Sequence, residues 1–160
     1  MNMTKLCANI SPAEAKRKFF WETIDNINVM QELHDGNFKN LTKEEKIKYV
    51  TNYFEHISTN MLVDFNNICV DFRETLLHVV KEYLKELDVD ERFKLIKDYT
   101  NDDLFDASSF IILLGKSIYY YTLDNPRFIF EIMEKYGFVN FEFMFDYAIS
   151  DKMLENVEKV

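Results

Sequence analysis

Seven apolar residues, Leu62, Phe65, Cys69, Phe72, Leu76, Val79 and Tyr83, recur at alternating intervals of three and four. An α-helix turns once every 3.6 residues, so this spacing sets all seven on one face. The pattern predicts a helix over roughly 61–87, long enough to organise a domain around it. Met61, Val63, Ile68, Val70, Leu77, Val80 and Leu84 are apolar too and widen the stripe beyond a two-position seam. A stripe that broad marks a central core helix rather than a coiled-coil strand.

The rest of the chain offers little material for anything but helices. Among 160 residues there are 3 Gly and 2 Pro. Sandwiches and barrels need turn residues at regular short intervals, so both are disfavoured. An apolar share of 48%, one third of it aromatic, supplies a core and argues against disorder. Helix starts are visible at Ser11-Pro12-Ala13-Glu14 and Thr42-Lys43-Glu44-Glu45, both capping boxes. The first helix should stop at Asp35-Gly36-Asn37, and the second should run to about Ile57. Asp88-Val89-Asp90-Glu91 opens a short helix to near Tyr99, and Asn125-Pro126-Arg127 opens another that Gly137 closes.

Two stretches carry conflicting signals. Phe110 to Leu123 reads as one buried helix capped by Asp106-Ala107-Ser108-Ser109. It also reads as a β-hairpin turning at Gly115-Lys116. Phe141, Phe143, Phe145 and Tyr147 alternate with polar residues as a strand would, although Asn140 can cap a helix to near Val157. The expected fold is an all-α single domain over 1–160, a bundle of about six to seven helices around the helix at 61–87. A mobile segment is expected at 1–10. The alternative is α+β, with a small antiparallel sheet within 109–147.

The net charge of −9 is unevenly spread. Residues 1–50 hold 8 bases against 7 acids, and the remaining 110 hold 11 against 21. Beyond Lys16-Arg17-Lys18 there is no basic face for a phosphate backbone, so direct nucleic-acid binding is not expected. No apolar run is long enough for a signal peptide or a membrane span. Cys7 and Cys69 match no metal spacing and read as reduced core thiols, which places the protein in the cytoplasm. Usage rich in Lys, Asn, Ile and Phe suggests an AT-rich genome, as in a virus, phage or low-GC bacterium.

No motif names a reaction. Glu74 and His78 stand four apart and occur once, whereas a di-iron bundle repeats Glu-x-x-His. With Glu82 they form an i, i+4 ladder of the kind found on solvated faces. Three glycines cannot build a phosphate loop. The acid-rich stretch at 98–106 lacks the central Gly and distal Glu of a calcium loop. No cofactor or metal is expected, and a carboxylate pair among 28 acids remains the one open route to an enzyme.

The distinctive region is 98–147. Residues 101–150 hold 8 acids against 3 bases and 13 of the chain's 24 Phe and Tyr. Asp98-Tyr99-Thr100-Asn101-Asp102-Asp103-Leu104-Phe105-Asp106 reads as an acidic loop carrying aromatics. Aromatics give anchoring area and carboxylates pair with a basic target, so a partner surface is expected there. Its candidate residues are Asp98, Tyr99, Asp102, Asp103, Phe105, Asp106, Tyr120, Asp124, Glu142 and Asp146. Tyr119-Tyr120-Tyr121 should send at least one ring to the surface, while Trp21 should lie in the core. The expected function is a non-enzymatic protein-binding module, a small acidic inhibitor of anti-defence or immunity type that blocks a basic partner protein. Other expectations are a helix-groove regulator of the viral apoptosis-inhibitor kind, or homodimerisation through an exposed helix face.

Overall fold

The computed structural model describes the backbone of residues 11–33 and 57–136, the side chains of those spans except 27–33 and 136, and the single positions Glu45, Lys48, Asn52, Phe54 and Glu55. Among the described residues there are helices and no strand: α1 Pro12–Leu33, α2 Thr59–Glu86, α3 Val89–Ile96, α4 Asn101–Leu113, α5 Lys116–Asp124 and α6 Phe128–Tyr136. The all-α bundle is therefore the fold, and the hairpin over 109–123 does not form. The expected second helix falls largely outside the described residues, although Glu45, Lys48, Asn52 and Phe54 are helical. The segment after Tyr136, with its alternating aromatics, lies outside them, as do residues 1–10.

Caps explain where the helices start. Ser11 Oγ accepts from the Glu14 N–H at 3.3 Å, and Glu14 accepts in return from the Ser11 N–H at 3.0 Å. This reciprocal pair satisfies two of the donors that a helix start leaves open. Ser58 caps α2 through the Met61 N–H, and Asp88 caps α3 through the Glu91 N–H at 2.8 Å.

The buried face of α2 follows the expected seam at first and then leaves it. Leu62, Phe65 and Cys69 are buried, but the next buried positions are Arg73, Leu76, Leu77, Val80 and Leu84. Phe72, Val79 and Tyr83 are only half-buried. A straight helix drifts about 20° per heptad against a 3.5-residue repeat. Over 28 residues that drift carries the seam off the core and brings the next row in. Arg73 enters with that row, and its guanidinium lies 4.1 Å from the centre of the Phe105 ring.

Helix α2 packs against α1, α4 and α5, and α4 also packs against α5 and α6. Nearly all of the second half of α4 is buried, from Ala107 to Leu113, with only Ser109 half-buried. The expected single helix over 110–123 is broken at Gly115, whose φ of 110° and ψ of 170° suit glycine alone. Its N–H still donates to Ile112 O and its carbonyl accepts from the Tyr119 N–H, both at 3.0 Å. The break leaves both backbone groups of Gly115 bonded and redirects α5 across α2.

One contiguous core results. Rings thread it: Phe54 meets Phe65 at 5.3 Å, Phe65 meets Phe20 at 4.6 Å, and Phe20 meets Trp21 at 5.0 Å. Trp21, a core residue as its position suggested, then meets Tyr119 at 5.5 Å. Burying each large apolar side chain contributes about 1.5–3 kcal/mol.

Candidate functional site

The acidic stretch turns out to be mostly helix. Only 97–100 form a turn, and α4 begins at Asn101. The reason is local. Thr100 Oγ1 accepts from the Asp103 N–H at 3.2 Å, while the Asp103 carboxylate accepts from the Thr100 N–H, completing a capping box. Asp102 and Asp103 then occupy the first turn, where negative charge meets the positive end of the helix dipole. Leu104, Ala107, Ser108 and Ile111 follow at helical spacing and turn inward. Ser108, read from sequence as a cap, is buried within the helix and donates to Leu104 O at 2.8 Å.

The expected site residues divide accordingly. Asp98 and Asp102 are exposed, and Asp106 is half-buried. Asp103 is engaged in the capping box. Tyr99 is half-buried with its ring 6.2 Å from Phe130. Burial raises the Tyr99 phenol above its ordinary value, and the carboxylates of Glu134, Asp98 and Asp103 push it further the same way. Those charges converge on one corner, to which α6 contributes Glu134. Phe105 lies under the Arg73 guanidinium and is half-buried. Tyr120 and Asp124 are exposed on α5. Glu142 and Asp146 lie outside the described residues.

The aromatics expected to anchor a partner in this stretch thus face largely inward. The most exposed apolar side chains lie one helix earlier. Val89 and Phe93, one turn apart on α3, are 76% and 64% exposed, and α3 buries none of its residues fully. Asp90 is exposed on the same short helix, with Asp98 in the turn beyond it. Over residues 88–106 there are seven acids against three bases. Asp88 and Asp103 are spent on caps, which leaves Asp90, Glu91, Asp98 and Asp102 exposed. The sequence signal for this corner was the acidity around Asp98 and Asp102; the exposure of Val89 and Phe93 is set by packing.

The tyrosine triplet splits as its helical spacing requires. Tyr119 is buried, its hydroxyl donating to Phe72 O at 2.9 Å, while Tyr120 and Tyr121 are exposed. Tyr121 packs edge-on to Phe128 at 5.0 Å. Tyr120 borders a cleft of about 220 Å³ with Arg17, Asp71, Phe72 and Thr75. That volume lies below the roughly 300–1,000 Å³ of small-molecule pockets.

On α2, His78 is exposed, and Glu82 is held below its ordinary carboxylate value. The main cause is the Lys85 ammonium at 2.7 Å, with His78 contributing less. Among the described residues no three His, Cys, Asp or Glu side chains group as a metal site, and no helix is long and apolar enough to cross a membrane. The chain matches no protein-family model, no curated protein and no solved structure.

Proposed function

We propose that this protein is a non-enzymatic binding module that docks the α3–α4 corner on a basic partner protein and blocks it. The observation that carries this reading is the pair of exposed apolar side chains, Val89 and Phe93, beside exposed carboxylates. Aromatic side chains are enriched in the centres of protein interfaces, with polar residues at the rim. The excess of acids over 88–106 complements a basic surface and steers its approach.

The test compares three forms of the tagged protein in capture experiments at low and high salt: wild type, Phe93→Ser, and Asp98→Lys with Asp102→Lys. All three side chains are at the surface, so folding stability should stay within about 0.5 kcal/mol. A partner retained by wild type at low salt should be lost at high salt. Loss of the Phe93 anchor should weaken it by about 2 kcal/mol, near thirtyfold. Equal capture by all three forms, or no capture at either salt, overturns the reading.

A further inference from the structure

In a protein of net charge −9, three cations meet at the corner where α2 ends and α3 begins. Lys81, Lys85 and Arg92 line a cleft of about 350 Å³, together with His78, Glu82 and Asn101. Part of this is explained by the fold. Arg92 Nη2 donates to Lys85 O at 3.3 Å and to Leu87 O at 3.1 Å, closing the carbonyl end of α2. Lys85 sits in the last turn, where the helix dipole favours a cation, and pairs with Glu82.

The remainder is not explained. Lys81 and Lys85 stand at i, i+4, an arrangement that is unfavourable for like charges. Lys81 has no ion pair among the described residues, and Arg92 lines the same cleft as both lysines. The Arg92 Nε–H, buried at the edge of the cleft, has no acceptor among the described residues. Three cations against the single carboxylate of Glu82 leave a local charge of +2, before His78 is counted.

We propose that this cleft binds a small phosphate monoester. A monoester is a dianion above its second pKa near 6, which matches the local charge. Its oxygens are acceptors only, as Lys81, the remaining donors of Lys85 and Arg92, and the Asn101 amide require. The volume sits at the lower end of the range for small-molecule pockets, suiting a phosphate on a small body. The site shares none of the residues proposed for partner docking, so either can fail alone.

The experiment titrates the full chain with inorganic phosphate, glycerol phosphate and a phosphoserine peptide, following backbone amide shifts by NMR. Sodium chloride at matched ionic strength is the control. Saturable shifts confined to residues 78–92 and 101 are expected with phosphate and the glycerol ester. Lys81→Gln and Lys85→Gln should each weaken binding about fivefold, and Lys81→Arg should retain it. Both lysines are exposed, so the variants should keep the wild-type spectrum elsewhere. Shifts that sodium chloride reproduces, or that survive in the double Gln variant, overturn the site. A phosphopeptide binding tenfold tighter than the glycerol ester would overturn its assignment to a small molecule.

Discussion

Tyr119 ties α5 to α2 through its ring and its hydroxyl, and Tyr119→Phe separates the two contributions. The ring contacts, to Phe72 at 5.0 Å and Trp21 at 5.5 Å, survive the change. What goes is the hydrogen bond to the Phe72 carbonyl and the phenol's contact with the Thr75 hydroxyl, which keeps its bond to Asp71 O. The Phe72 carbonyl lies inside α2 and keeps its helical partner, so no buried group is orphaned. The cost at neutral pH should therefore be the net worth of one hydrogen bond, about 1 kcal/mol. Alkaline pH supplies a sharper test. Burial holds the phenol well above its ordinary value, and Tyr120 adds to the effect. The folded state thus favours the protonated form, and this stabilisation is complete below the unfolded pKa near 10. Above it the unfolded chain releases the proton while the folded chain keeps it. Wild type should then lose about 1.4 kcal/mol per pH unit from this group, and the Phe variant nothing. The deficit of the variant should shrink from about 1 kcal/mol at about pH 9 to zero at about pH 10.6, then reverse. Urea unfolding followed by the fluorescence of Trp21, the sole tryptophan, reads both quantities. A gap that stays constant or widens across this range would refute the account of Tyr119.

Other perturbations test the frame. Gly115→Ala forces a Cβ into a conformation suited to glycine and should cost about 1–3 kcal/mol in urea unfolding; a neutral result would mean that the α4–α5 corner relaxes freely. Leu76→Ala removes a fully buried side chain from α2, and a loss of about 2–5 kcal/mol is expected. A calorimetric loss below 1 kcal/mol would contradict its place in the core. Thr100→Ala deletes half of the α4 capping box, with an expected cost of about 1 kcal/mol and faster amide exchange at 101–103. Unchanged exchange at those amides would mean that the box does not hold the helix start.

The elements were legible where a local rule decides them. The boxes at Ser11–Glu14 and the cap at Asp88 form as the residue order implies, because a cap needs only its own first turn. The long helix was legible from periodicity, but its buried face was not. Reading Phe72, Val79 and Tyr83 as core assumed a 3.5-residue repeat, which a helix adopts only when a partner supercoils around it. Without one, Arg73 and Val80 take their places. Residues 110–123 failed for a different reason. Apolar residues run through both α4 and α5, so periodicity could not find the break, and one glycine with positive φ decided it.

The corner proposed for docking was half legible, and the missing half is instructive. Charge is a property of the residue list, so the acidity around Asp98 and Asp102 could be counted before any fold was known. Exposure of an aromatic ring is a property of what packs on it. Phe93 and Phe105 stand on neighbouring helices, and nothing in either residue's local sequence separates them. Phe105 is covered because α2 drifts and delivers Arg73 over its ring. Phe93 is exposed because α3 buries no residue fully. The same drift that misplaced the seam thus covers Phe105, while Phe93 stays exposed on α3. Arg73→Leu removes the cation but keeps an apolar side chain in the buried row of α2, and should leave Phe105 packed and Phe93 exposed. Partner capture should then depend on Phe93 as before, whereas transfer of that dependence to Phe105 would place the docking surface on α4.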